Sequence, residues 1–128
     1  MKLSFTEVEN YLADIKALIQ CDQYQIDRNI KRPANRALFI DYVISEADAK
    51  NILLSLTPFD FSEVRKNEHV GREYELLYIF GKDVELKERF GDLVKTVSLY
   101  IKFNKINQKL VVVISFHEAK YPLSYCFK

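Results

Sequence analysis

Two strand patterns near the C-terminus constrain this chain more than any other feature. Residues 95–103 read KTVSLYIKF, a polar NKINQ follows, and residues 109–118 read KLVVVISFHE before a tail AKYPLSYCFK. In the first run Val97, Leu99, Ile101 and Phe103 alternate with Thr96, Ser98, Tyr100 and Lys102. Successive strand residues point to opposite faces, so one set packs on a core and the other meets solvent or ligand. The span from Leu110 to Phe116 is continuously apolar except for Ser115, which suits a central strand covered on both faces. NKINQ supplies a hairpin loop. By parity Val111, Val113, Ser115 and His117 share a face. A short hairpin would bring His117, one of two histidines, near Ser98 and Tyr100, although pairing register is set by more than sequence.

The rest of the chain reads as support for that sheet. Phe5, Val8, Leu12, Ile15 and Ile19 recur at helical spacing, and Ser4-Phe5-Thr6-Glu7 fits a capping box with Leu3 stapling onto Val8. Residues 23–27 alternate as a short edge strand. Arg28, Lys31, Arg32 and Arg36 then form the densest positive cluster, read either as a solvated loop or as a phosphate-contacting patch. Residues 34–42 suit a short helix with Leu38 and Phe39 inward. Ser45 is an N-cap for a helix burying Ala49, Ile52, Leu53 and Leu56, which Thr57-Pro58 ends. Phe59 and Phe61 anchor the next segment into the core. Residues 62–73 are polar and read as a loop, in which His69 is an exposed histidine and Arg72 is either a loop residue or an RNA contact. Residues 74–80 form a strand that Gly81-Lys82 ends or bulges, and DVELKERFGD reads as a charged hairpin or a short helix. The predicted fold is α+β, with N-terminal helices on one face of a small antiparallel sheet of three or four strands.

With 128 residues the expectation is a single domain spanning 1–128. A net charge of +1 gives no global basic field, so binding to nucleic acid requires a local patch. Cys21 and Cys126 stand far apart and are expected as reduced thiols, and no zinc-ligand spacing occurs. The acidic N-terminus lacks the long apolar run of a signal peptide or anchor, so the cytoplasm is the expected location, with no membrane contact.

The exposed row with His117 suits phosphodiester chemistry. RNA carries its own nucleophile, the ribose 2′-OH. An enzyme must take that proton, protonate the leaving 5′-oxygen and offset developing charge. His117 suits proton transfer at neutral pH. Lys102 with a nearby cation suits the phosphate, and Tyr100 can stack on a base or hold the 2′-OH. Ser98 is a further RNA contact on the same row. No metal or other cofactor is called for. The plainer reading is a structural or merely exposed histidine beside an ordinary solvent-facing strand. Ser115 with His117 is not a nucleophile pair, because no elbow glycine or partner acid accompanies it.

Several stretches also resemble a known family. ALFIDYVISEADAKNILLSLTPFDF, then YIFGK, LYIKF and KLVVVISFHEAKYPL are similar to the MqsR-type toxins of bacterial toxin–antitoxin modules, over about residues 36–123. The resemblance implies a RelE-like α+β fold, mRNA cleavage and silencing by a cognate antitoxin protein. By position, Tyr100 and Lys102 match the family's Tyr-x-Lys strand, and Lys82 lies near a polar site position. His117 stands where the family has lysine after Ser-Phe, and DVELKERFGDLVK is longer than the family's turn. The expectation is therefore an mRNA-cleaving toxin with His117, Tyr100, Lys102 and Lys82 in its site and Arg28, Arg32, Arg36, Arg72 and Ser98 toward the RNA. A non-catalytic binding protein on the same scaffold is the alternative, and a small-molecule hydrolase lacks a nucleophile motif.

Overall fold

A computed structural model describes residues 2–128. Three helices come first in the chain, interrupted by one short strand: α1 (Phe5–Gln20), β1 (Tyr24–Ile26), α2 (Pro33–Asp41) and α3 (Glu46–Leu54). A single 3₁₀ turn at Pro58–Asp60 leads into β2 (Phe61–Lys66), β3 (Leu76–Lys87), β4 (Val94–Ile106) and β5 (Leu110–Glu118). The architecture is α+β. The sheet has five strands in the order β1-β5-β4-β3-β2. It is mixed, because β1 runs parallel to β5 while every other pair is antiparallel.

Local chemistry explains the helix ends. Ser4 accepts from the Glu7 amide and Glu7 accepts from the Ser4 amide, so both orphan donors are satisfied. Ser45 and Asp48 repeat the device at α3. That helix ends at Leu54, earlier than the proline implies, and the Ser55 hydroxyl donates to the Ile52 carbonyl. Leu56 is nonetheless fully buried just beyond it.

One face of the sheet makes the core. Val97, Leu99, Ile101 and Phe103 of β4, Val111, Val113 and Phe116 of β5 and Phe80 of β3 pack against Val8, Leu12, Ile15 and Ile19 of α1. Tyr11 of α1 stacks on Tyr78 of β3, with ring centroids 3.5 Å apart. Helix α3 packs on α1, and α2 lies along β5. Phe61 is buried as expected, whereas Phe59 is half-exposed and touches the Phe5 ring edge-on.

The sheet is five-stranded and mixed where three or four antiparallel strands were expected, and the structure corrects three further expectations. Residues 62–73 are not all loop, since Phe61–Lys66 pairs with β3 as an edge strand. Gly81 neither ends nor bulges β3, which runs straight through to Lys87. DVELK is therefore strand, with Val84 and Leu86 on the core side and Asp83, Glu85 and Lys87 outward. The third correction concerns parity on β5. A bulge lies between the pairs Lys102↔Ser115 and Phe103↔Val113, so Ile114 is an extra residue. Val111 and Val113 face the core, but His117 faces the opposite way, with Tyr100.

Asn35 holds this bulge. β1 stops pairing with β5 after Ile26↔Val113, leaving the next stretch of β5 without a strand neighbour on that side. The buried Asn35 side chain takes that place. Its amide nitrogen donates to the Ile114 and Asp27 carbonyls at 2.8 and 2.7 Å, and its oxygen accepts from the Phe116 amide at 2.9 Å. One side chain thus satisfies backbone groups that a continuing strand would otherwise have paired.

The tail after β5 returns across the sheet. The Ala119 amide donates to the Ser98 carbonyl, the Ser62 hydroxyl donates to the Ser124 carbonyl, and the Cys126 amide donates to the Phe61 carbonyl. Phe127 then packs against Phe5 and Phe61. Gly81 lets the tail lie close on β3: a Cβ there would press on the Tyr125 hydroxyl and a Leu123 methyl, and both side chains would have to shift. Among the described residues no helix is long and apolar enough to cross a membrane.

Candidate functional site

Residues directly opposite in an antiparallel ladder share a face. Gly81, Tyr100 and His117 therefore form one row across β3, β4 and β5 on the face away from α1. The Tyr100 and His117 rings are stacked, 5.3 Å between centroids and 14° between planes. The Nδ1 atom of His117 lies 2.9 Å from the Glu118 carbonyl oxygen. A carbonyl only accepts, so Nδ1 carries the hydrogen and Nε2 of the neutral ring is left bare. That nitrogen is the natural proton acceptor. Burial pushes the Tyr100 phenol up from its ordinary value, with Glu63 adding to the rise and Arg65 opposing it, so the hydroxyl stays protonated and can donate.

The next row contains Lys102, opposite Ser115 on β5 and Ile79 on β3. Lys102 is half-buried and has no carboxylate within ion-pair distance among the described residues. Burial lowers its pKa, and the charges of Arg32 and Arg65 lower it further. The ammonium is thus held ready to release a proton or to receive a compensating anion.

The face is graded from acid to base. On one side of the Tyr100 row the Ser98 hydroxyl donates to Asp83 at 2.7 Å and Thr96 to Glu85. On the other side Lys102, Arg32, Arg65 and His69 line one concavity. Phosphate is attracted to the second side and repelled by the first.

The structure thus brings together Tyr100, His117, Lys102 and Arg32, and leaves several candidates elsewhere. Lys82 pairs with Leu99, which puts it on the helix-bearing face. There its ammonium meets Asp60 and the Ser55 carbonyl, each at 3.5 Å. Arg28 pairs with Glu46 and lies 4.2 Å over the Phe39 ring. Arg36 is exposed on α2. Arg72 holds the buried Glu75 at 3.2 Å, alongside donors from Asn67 and Asn104, so its charge is already used in a structural network. Ser98 is engaged by Asp83.

Sequence reasoning missed Arg65, because its segment read as loop. The signal was present: in FSEVRK, Phe61 and Val64 turn inward while Arg65 is exposed. Among the described residues no group of three or more His, Cys, Asp and Glu could hold a metal ion. The chain gives no significant match to any protein-family model, curated protein or solved structure. Its resemblance to MqsR-type toxins therefore rests on the sequence motifs.

Proposed function

We propose that this chain is a RelE-like, MqsR-type toxin that cleaves mRNA in the cytoplasm and is silenced by a cognate antitoxin. The observation that carries the reading is the stacked Tyr100–His117 pair standing one row from the unpaired Lys102. In the proposed reaction Nε2 of His117 takes the proton of a ribose 2′-OH. The 2′-oxygen attacks the adjacent phosphorus, the bond from phosphorus to the 5′-oxygen breaks, and the leaving oxygen takes a proton from the Lys102 ammonium. The products are a 2′,3′-cyclic phosphate and a 5′-hydroxyl. Lys102 suits the acid role because its pKa is depressed, and the Tyr100 phenol donates to the reacting oxygens.

The experiment is inducible expression with and without the genomic neighbour, following growth and mRNA integrity. Toxicity with intact mRNA would remove the nuclease reading. His117→Ala is expected to lower cleavage by about 10²–10⁴-fold, the usual contribution of one proton-transfer group. The second reading, a non-catalytic RNA- or protein-binding module, draws on the near-neutral charge and the acidic half of the face. It predicts binding without chain scission.

A further inference from the structure

The basic concavity beside Lys102 is a site in its own right. Arg32 reaches it from the start of α2, Arg65 from β2, Lys102 from β4 and His69 from the loop that follows β2, whereas Lys66 pairs with Leu76 and turns its side chain to the helix-bearing face. Glu68 is the one carboxylate among its described lining residues. The two arginines are each tethered through a single nitrogen. Arg65 Nη2 is 2.7 Å from Glu63, and Arg32 Nε is 3.6 Å from Asp27. Their remaining N–H groups are available to a ligand, and a guanidinium presents them as a fork that fits two oxygens of one phosphoryl group.

Size and position narrow the ligand. The concavity measures about 230 Å³, below the roughly 300–1,000 Å³ of a pocket that encloses a small molecule. It has room for a phosphoryl group but does not enclose a whole small molecule. His117 does not line it. The Tyr100–His117 row lies two residues from Lys102 along β4, about 7 Å at the usual strand rise. Arg65 is further still, because it pairs with Leu77, which sits opposite Asn104.

We infer that this concavity is a subsite for a phosphodiester neighbouring the one cleaved, so that RNA crosses the face from the Tyr100–His117 row toward Arg65 and away from Asp83 and Glu85. Such a subsite rests on the ribonuclease reading and is testable apart from it. Lys102 stands between the two phosphates, which gives it a place in both binding and cleavage.

The test uses a short RNA with every ribose 2′-O-methylated, which binds but cannot be cleaved. Its affinity is measured against salt for wild type, Arg65→Ala and Arg32→Ala; both side chains are substantially exposed and Arg32 makes no capping hydrogen bond to α2, so the fold is retained. Removing one cation that neutralises a phosphate should reduce the slope of log K against log salt by about 0.7, the value for a single strand. A parallel titration with inorganic phosphate, followed by NMR at the Lys102 and arginine side chains, separates an RNA phosphodiester from a free oxyanion. Reduced slopes in both variants support the subsite, whether or not native RNA is cut. Unchanged slopes overturn it even if cleavage proceeds. Tight phosphate binding with unchanged RNA slopes would assign the site to free oxyanions and overturn the RNA path.

Discussion

Replacing Asn35 should uncouple the edge of β5 from α2. Its side chain makes three hydrogen bonds, at 2.7, 2.8 and 2.9 Å, and is buried. A neutral hydrogen bond contributes about 0.5–1.5 kcal/mol net, and a buried group left unpaired costs about 1–3 kcal/mol. Asn35→Ala should therefore lower stability by roughly 2–4 kcal/mol, a large share of the about 5–15 kcal/mol typical of a domain. With a urea slope of about 1–3 kcal/mol per molar, the midpoint should fall by roughly 0.7–4 M. Asn35→Asp preserves shape but removes both donors, and it sets an anion against the Asp27 and Ile114 carbonyls. It should be at least as damaging. Equilibrium urea unfolding measures both variants. An aspartate variant as stable as wild type would refute the hydrogen-bonding argument, because it lacks both donors and sets a charge in their place. A loss below about 0.5 kcal/mol in the alanine variant, the low end for a single neutral bond, would refute the claim that this side chain replaces a strand.

Three further outcomes are expected. The Tyr11 hydroxyl is buried without a partner among the described residues, so Tyr11→Phe should raise stability by about 1 kcal/mol; a loss would show that the hydroxyl is satisfied. Glu75 is held below its ordinary pKa by donation from Asn104, then from Asn67 and Arg72. Its contribution is complete above the unfolded value of 4.5 and disappears as pH falls through the lower folded value. Glu75→Gln should therefore be less stable at pH 7, with a flatter acid limb; an unchanged urea–pH profile would contradict this. For Lys102 the sign is reversed. The unfolded chain binds the extra proton between the lowered folded value and 10.5, so stability climbs with pH across that window. Lys102→Met should remove the climb, raise the midpoint at neutral pH and abolish cleavage, an exchange of stability for function. Unaltered alkaline behaviour would argue against the burial cost.

Much of the scaffold was legible because its signals are local. Capping at Ser4 and Ser45 involves residues three apart. Strict alternation in β4 identified Val97, Leu99, Ile101 and Phe103 as core and Tyr100 and Lys102 as the other face. The extension of β3 was also written in alternation, but its charged residues resembled a turn. β2 escaped because an edge strand buries little, and only Phe61 and Val64 mark it.

The site itself was half legible. Tyr100, Lys102 and His117 could be nominated from residue type and position. That His117 faces Tyr100 depends on the bulge at Ile114, which shifts the parity of β5 by one residue. Nothing near Ile114 in the sequence announces the bulge. It rests on Asn35, which is 79 residues away from Ile114 along the chain. The same holds for the basic concavity, where Arg32 and Lys102 belong to segments joined only through the sheet. Helices, hairpin and alternating faces could be read from residue order, since each depends on neighbours within a turn or a strand. Register, the graded charge of the polar face and the company kept by Lys102 emerged only on folding. Those follow from long-range pairing, where a one-residue shift moves a side chain from core to site.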